Sequence, residues 1–241
     1  MSELSREENV FMAKLYESTE KFDKMVECIN SYVIQNPVLN KEEVNLLSSG
    51  YKNVINRKRI AWRDLVTKNN EDLSTKKKKA EIVAELKKEA EDEIISIADR
   101  LLVIIEKYLI PNAKTDENKV LFLKMKADFY RYKAEITDGK EYEENHKLSE
   151  SAYSEGYKLS EQLPISNPVR MGLTLNFSVL YYEVKLQREK ALSIAEKAYA
   201  ESLTIIDELD KTLSKDTLLI IQLLKDNISK WKNDGEEESD I

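Results

Sequence analysis

Lys52, Asn56, Arg59 and Arg63 follow one another at steps of four, three and four residues. Seven residues turn an α-helix through nearly two full circles, so Lys52 and Arg59 would point the same way. A second run, Lys124, Asp128, Arg131 and Glu135, repeats the spacing, and Tyr132 stands beside Arg131. Guanidinium forks, an ammonium and a phenolic hydroxyl are donors suited to the three acceptor oxygens of a phosphate. Two such helices facing each other would converge their charges on one anion, and alternating sign at i,i+4 can hold the cations in fixed rotamers. Leu47, Tyr51, Val54 and Trp62 give the first of these helices apolar surface elsewhere. A solvated basic face fits the same spacing, and the pattern alone leaves both readings open.

Two further stretches pair an apolar strip with a carboxamide. LTLNFSVLYYEV carries Leu175 and Val179 one turn apart, with Asn176 and Glu183 seven apart on a neighbouring line. The last apolar stretch does likewise with Ile220, Leu223, Asn227 and Trp231. Such a strip can clamp an extended peptide's backbone, or it can be ordinary core packing. Other chemistry lacks its parts. His146 is the single histidine and lies in Glu-Glu-Asn-His-Lys, which reads as a solvated surface segment. Glu143 and His146 have the spacing of half a di-iron site, but no second Glu-x-x-His exists to complete it. A hydrolytic triad would need that same histidine, and there is no P-loop, Gly-rich fingerprint or cysteine pair for zinc. No catalytic residue, metal site or cofactor is expected, and the abundant carboxylates read as solvated helical faces.

The elements that must position these groups are helices. Only 5 Gly and 4 Pro interrupt 241 residues, which disfavours an all-β fold with a turn every dozen residues. Ile94, Ile97, Ala98, Leu101, Ile105 and Tyr108 keep one helical face apolar. Pro37, Pro111, Pro164 and Pro168 fall between such stretches. The pattern predicts nine helices, at 6–18, 22–35, 41–70, 75–109, 115–137, 141–162, 167–185, 188–208 and 212–233. Asn167 before Pro168 predicts a cap and first-turn proline, and Asn40 with Glu43 a capping box. Neither a Gly/Ser-rich linker nor a consensus 34-residue repeat is present. The chain therefore reads as a helical domain over 1–233 with a disordered acidic tail at 234–241.

Lys and Arg number 38 against 45 Asp and Glu, a formal charge of -7. Nonspecific attraction to nucleic acid or to anionic lipid therefore has no global basis, and an anion site must be a local basic pocket. The lone Cys28 cannot form an internal disulfide. With no apolar leader at the amino terminus, a cytoplasmic setting is expected, or a nuclear one.

NLLSSGYKNVINRKRIAWR, LIPNAKTDENKVLFLKMKADFYRYKAE, NPVRMGLTLNFSVLYYE and LLIIQLLKDNISKW stand in the order and spacing of the 14-3-3 family, which the chain resembles from residue 3 to about 233. This family reads phosphorylated motifs through arginine clusters. The resemblance implies an antiparallel nine-helix protomer with a concave amphipathic groove, paired into a cup-shaped homodimer. It implies a non-enzymatic adaptor for phosphoserine and phosphothreonine segments of client proteins. Carried across, the phosphate pocket is Lys52, Arg59, Arg131 and Tyr132, with Lys124 and Lys126 beside it. Asn176 and Asn227 hold the peptide backbone, Glu183 and Trp231 support them, and Leu175, Val179, Ile220 and Leu223 form the apolar wall. A helical scaffold of tetratricopeptide type that binds unmodified peptides is the competing expectation.

Departures from the family pattern carry their own expectations. Ser49 and Lys230 stand at positions resembling apolar groove sites, so the groove is expected to tolerate acidic or polar client residues. Asn56 stands where the family usually has glycine and would crowd one end of the groove. The implied dimer packs Leu15, Lys21 and Lys24 of one subunit against Ala61, Leu65, Leu86, Glu89 and Glu93 of the other. Lys24 and Glu89 reverse the usual signs. A self-dimer keeps that attraction, whereas a mixed dimer would face like charges, which predicts self-preference.

Overall fold

Side chains that satisfy the orphan N–H groups of a first turn decide where this chain becomes helical. The computed structural model describes residues 4–70, 77–209 and 214–237. Among them are nine helices and no strand: α1 Arg6–Ser18, α2 Phe22–Gln35, α3 Lys41–Asn70, α4 beginning as Lys77–Ile104, α5 Asp116–Ile136, α6 Gly139–Ser160, α7 Pro168–Glu183, α8 Arg188–Leu209 and α9 Lys215–Glu237.

Asn40 and Glu43 form the reciprocal capping box at the head of α3, with Glu43 N donating to Asn40 Oδ1 at 3.0 Å and Asn40 N to Glu43 Oε2 at 2.9 Å. Arg6 reinforces this start. Its guanidinium donates to the carbonyls of Tyr32, Asn36 and Val38 and to Glu43 Oε2 at 2.7 Å, tying the connection before α3 to α1. At α7, Asn167 Oδ1 accepts from the N–H groups of Val169 and Arg170, and Pro168 follows as the first helical residue.

Several expected helix ends shift by one to four residues, three of them as follows. Helix α4 was expected to stop at 109, but it passes through a π turn at Ile105–Leu109 into a last turn, Ile110–Asn112. Pro111 cannot donate to the carbonyl four residues back, and the wider turn absorbs that missing bond. The Asn112 amide then donates to Tyr108 O at 2.8 Å. Helix α6 starts at Gly139, whose φ of +53° suits glycine. Helix α9 continues to Glu237 rather than ending at 233. The remainder of the expected tail, 238–241, lies outside the described residues, as do the helix starts expected at 75 and 212.

The helices form two units, each with its own core. One comprises Met1–Lys114 with Phe129–Asn145, the other Thr115–Asp128 with His146–Ile241. In the first unit α1 packs on α2, α2 on α3 and α3 on α4. Its core holds Met25, Ile29, Leu47, Tyr51, Ile55, Ile94, Leu101 and Ile105, all nearly free of solvent. In the second, α7, α8 and α9 pack on one another around Leu173, Phe177, Leu180, Leu224 and Trp231. Gly156 on α6 permits a close approach there, since a Cβ would lie 2.6 Å from Leu173 Cδ1 and 3.3 Å from Leu123 Cβ.

Candidate functional site

In the first unit, α3 supplies Lys52, Asn56, Arg59 and Arg63, while the second half of α5 supplies Arg131, Tyr132 and Glu135. The Tyr132 ring is where the two helices' cations meet. The Arg59 guanidinium carbon lies 3.8 Å from its centroid and that of Arg131 lies 5.0 Å away. The two carbons are therefore within about 9 Å of each other, close enough for one phosphate to touch both forks. The ring is rooted in the core, for Tyr132 packs on Phe129 at 5.5 Å and Phe129 meets buried Tyr51 edge-on at 6.0 Å.

Glu135 fixes the cations from behind. Its Oε2 accepts from Arg59 Nε at 2.7 Å and its Oε1 from Arg63 Nε at 2.7 Å. Burial alone would raise the Glu135 carboxyl, but Arg59 and then Arg63 outweigh it and hold it below the usual carboxylate range. With Nε committed, the outer edge of Arg59 keeps one long contact, from Nη1 to Asn56 Oδ1 at 3.4 Å. That edge is the one able to grip a planar or tetrahedral anion with two parallel bonds. Lys52 is exposed and makes no ion pair among the described residues. The rotamer-fixing role expected of sign alternation along α5 thus falls partly on α3. Glu135 reaches Arg59 and Arg63, which precede it by 76 and 72 residues.

In the second unit Asp128, 6% exposed, gathers donors from three helices. Lys124 Nζ donates to Oδ2 at 2.7 Å, while Asn176 Nδ2 at 2.8 Å and the Tyr153 hydroxyl both donate to Oδ1. Gly172 on α7 faces the same spot, where a Cβ would make ordinary contact with Lys124 Cε at 3.6 Å and Ile220 Cδ1 at 3.7 Å. Leu175, Val179 and Ile220 are half-buried and pack against this unit's core. Asn227 and Lys126 are also half-buried, and Glu183 is exposed. Trp231 is buried and stacks on Tyr182 at 4.7 Å, while the Tyr182 hydroxyl bonds Asp234. Leu223 is 41% exposed, and Leu219, one turn earlier and 60% exposed, extends the same apolar line. Sequence reasoning missed Leu219, although its i,i+4 spacing to Leu223 was a legible signal.

The remaining expected residues are placed as follows. Ser49 is half-buried and donates to Glu17 Oε1 at 2.7 Å, so its hydroxyl is engaged by α1. Lys230 is exposed and without an ion pair among the described residues. Leu15 on α1 and Leu86 on α4 are exposed, as are Phe11 on α1, Ile60 on α3 and Ile82 on α4. Lys21, Ala61 and Glu89 are exposed and Leu65 half-buried. Lys24 lies 5.9 Å over the Tyr16 ring, and Glu93 is bonded by Lys58 at 2.7 Å within the protomer. Glu89 and Glu93 line an acidic cleft of about 730 Å³ with Glu85, Asp92 and Asp23.

His146 corrects the sequence reading. It is 5% exposed rather than solvated, because Ser149, Ala152 and Tyr153 carry its face of α6 into the second unit's core. Its own segment is polar, but burial follows the helical face, not the flanking residues. Among the described residues no group of three potential metal ligands occurs, and no helix is long and apolar enough to cross a membrane.

A family model described as 14-3-3 protein matches residues 12–232. The chain is 39% identical over 236 residues to 14-3-3 protein 3 of Entamoeba histolytica, covering 97% of this chain and 98% of the relative. It is 40% identical over 234 residues to the checkpoint signal transducer rad25 of Schizosaccharomyces pombe, covering 96% and 87%. To human 14-3-3 protein theta it is 38% identical over 237 residues, covering 97% and 96%.

Proposed function

The chain belongs to the 14-3-3 family, and from that premise we propose that it binds phosphoserine and phosphothreonine segments of client proteins and acts on those clients by occlusion, scaffolding or relocalisation. Adaptor and regulator roles are those of the family. The observation that carries the finer reading is the pair of guanidinium groups sharing the Tyr132 ring, with Glu135 behind Arg59. A phosphomonoester of about -1.5 to -2 charge offers three acceptor oxygens to the outer edges of those forks. Exposed Lys52, two helical turns before Arg59, adds a third cation without needing a fixed geometry.

The client's backbone on either side of the phosphate is taken by Asn176 and Asn227, and its apolar side chains by Leu175, Val179, Ile220 and Leu223. The binding is reversible recognition with no bond made or broken. A self-paired dimer displays two such sites, so a doubly phosphorylated client gains avidity. The exposed apolar residues of α1, α3 and α4 support that pairing, with Lys24 meeting Glu89 across it. The test is capture of clients from lysate with and without phosphatase treatment, repeated with Lys52→Glu. Both treatments should abolish capture. Clients that bind equally well after dephosphorylation would instead identify a scaffold for unmodified peptides.

A further inference from the structure

We propose that Asp128 is a positioning residue that decides which end of the Asn176 carboxamide faces a bound client, so that Asn176 accepts a hydrogen bond from a client backbone N–H. The proposal rests on the phosphopeptide reading and adds to it a direction for one contact and the residue that sets it.

A carboxamide has a donor end and an acceptor end, and nothing intrinsic to asparagine chooses between them. Here the choice is made by charge. Asp128 faces the Lys124 ammonium at 2.7 Å and takes the Tyr153 hydroxyl as well, so it presents acceptor oxygens. Only the amide nitrogen of Asn176 can satisfy that carboxylate, and it does so at 2.8 Å. Rotating the carboxamide would set oxygen against oxygen beside a buried charge. Asn176 Oδ1 consequently points away, and it accepts no hydrogen bond among the described residues. A half-buried oxygen left in this way is ready for a donor from outside, and a peptide backbone offers one N–H per residue.

The same carboxylate restrains the Lys124 side chain, so one acid pre-sets a cation and an acceptor before a client arrives. Tyr153 is fully buried and stacks on Phe177 at 5.7 Å, so it fixes Asp128 from the core side. The network is legible as three side chains held for a fourth group's benefit, since pre-organisation lowers the ordering cost of binding.

The test uses the full chain and a phosphoserine peptide in which single backbone amides are replaced by esters, one link at a time. In the native protein one ester near the phosphoserine should weaken binding about threefold to tenfold, the range of one neutral hydrogen bond. In Asp128→Asn, Lys124 claims the remaining oxygen and the new amide turns toward Asn176, which must flip. That variant should bind the all-amide peptide more weakly and lose the ester penalty at that link. Tyr153→Phe leaves the Asp128–Asn176 bond and should keep the penalty. An unchanged penalty in Asp128→Asn overturns the proposal, a result that a merely destabilised fold would not mimic. Should that variant not fold, side-chain amide NOEs in the native complex decide. The Asn176 NH2 protons should stay beside Tyr153, and NOEs placing them on the client instead overturn the assignment. A native protein that binds phosphorylated and unphosphorylated peptides alike fails the phosphopeptide reading itself, which is a different outcome.

Discussion

Replacing Arg59 by lysine keeps the charge and removes the geometry, which isolates what the phosphate cluster contributes beyond electrostatics. Arg59 is 11% exposed on its side chain, commits Nε to Glu135 and stacks at 3.8 Å on Tyr132. Its outer edge, held only by the long 3.4 Å contact to Asn56, can donate two charge-assisted bonds to one phosphate, each of roughly 1.5–3 kcal/mol. A lysine can supply one such bond, cannot also hold Glu135, and loses the planar stacking on the ring. At least one bond's worth, about 1.5 kcal/mol or more, should therefore disappear, a weakening of roughly tenfold or greater. Arg59→Ala should lose both bonds, about 3 kcal/mol, or more than about a hundredfold. Glu135 keeps Arg63 in either variant, so the fold should survive, and a thermal melt checks this. The assay is fluorescence anisotropy with one labelled peptide in phosphorylated and unphosphorylated forms. The loss must be confined to the phosphorylated form. If Arg59→Lys binds within twofold of the native protein, the fork contributes nothing and the cluster acts as diffuse positive charge.

Glu135→Gln should destabilise the protein most above pH 4.5, because the native carboxyl lies below that ordinary value and its pairing with Arg59 and Arg63 is complete there. As pH falls through the lowered folded value the difference between variant and native protein should vanish, which urea denaturation at stepped pH would show; a gap that widens in acid contradicts the assignment. Leu86→Asp should convert dimer to protomer in sedimentation experiments, since a buried leucine contributes about 1.5–3 kcal/mol and a twofold interface counts it twice; an unaltered mass would place Leu86 outside the contact. Gly156→Val should lower urea stability by about 1–3 kcal/mol, because its Cβ has nowhere to go between Leu173 and Leu123.

What could be read without coordinates was local. The Asn40–Glu43 box, the Asn167–Pro168 start and the Lys124–Asp128 pair each close within four residues, so their partners are set by helical spacing. The family resemblance assigned the phosphate residues, but their working geometry was not in the spacing. The i,i+4 rule pairs Arg131 with Glu135, whereas Glu135 also joins Arg59 and Arg63 across two helices. His146 looked solvated because its neighbours in sequence are polar, and Pro111 looked like a terminator because a missing N–H usually is one.

The amino-acid order by itself determined nine amphipathic helices, their main caps, an acidic chain with two basic stripes, and membership of a family. The helices, caps and stripes follow from periodicity and from hydrogen bonds that a single turn can close, and the membership follows from the likeness of several long segments to the family. Tertiary structure alone decided that Arg59 and Arg131 share one aromatic ring, that Asp128 receives Tyr153 and Asn176 as well as its helical neighbour Lys124, and that His146 is enclosed. Each of those depends on which faces pack together. A residue's choice among many distant partners is settled by burial and by the charge already waiting there, quantities that exist only once the helices have met.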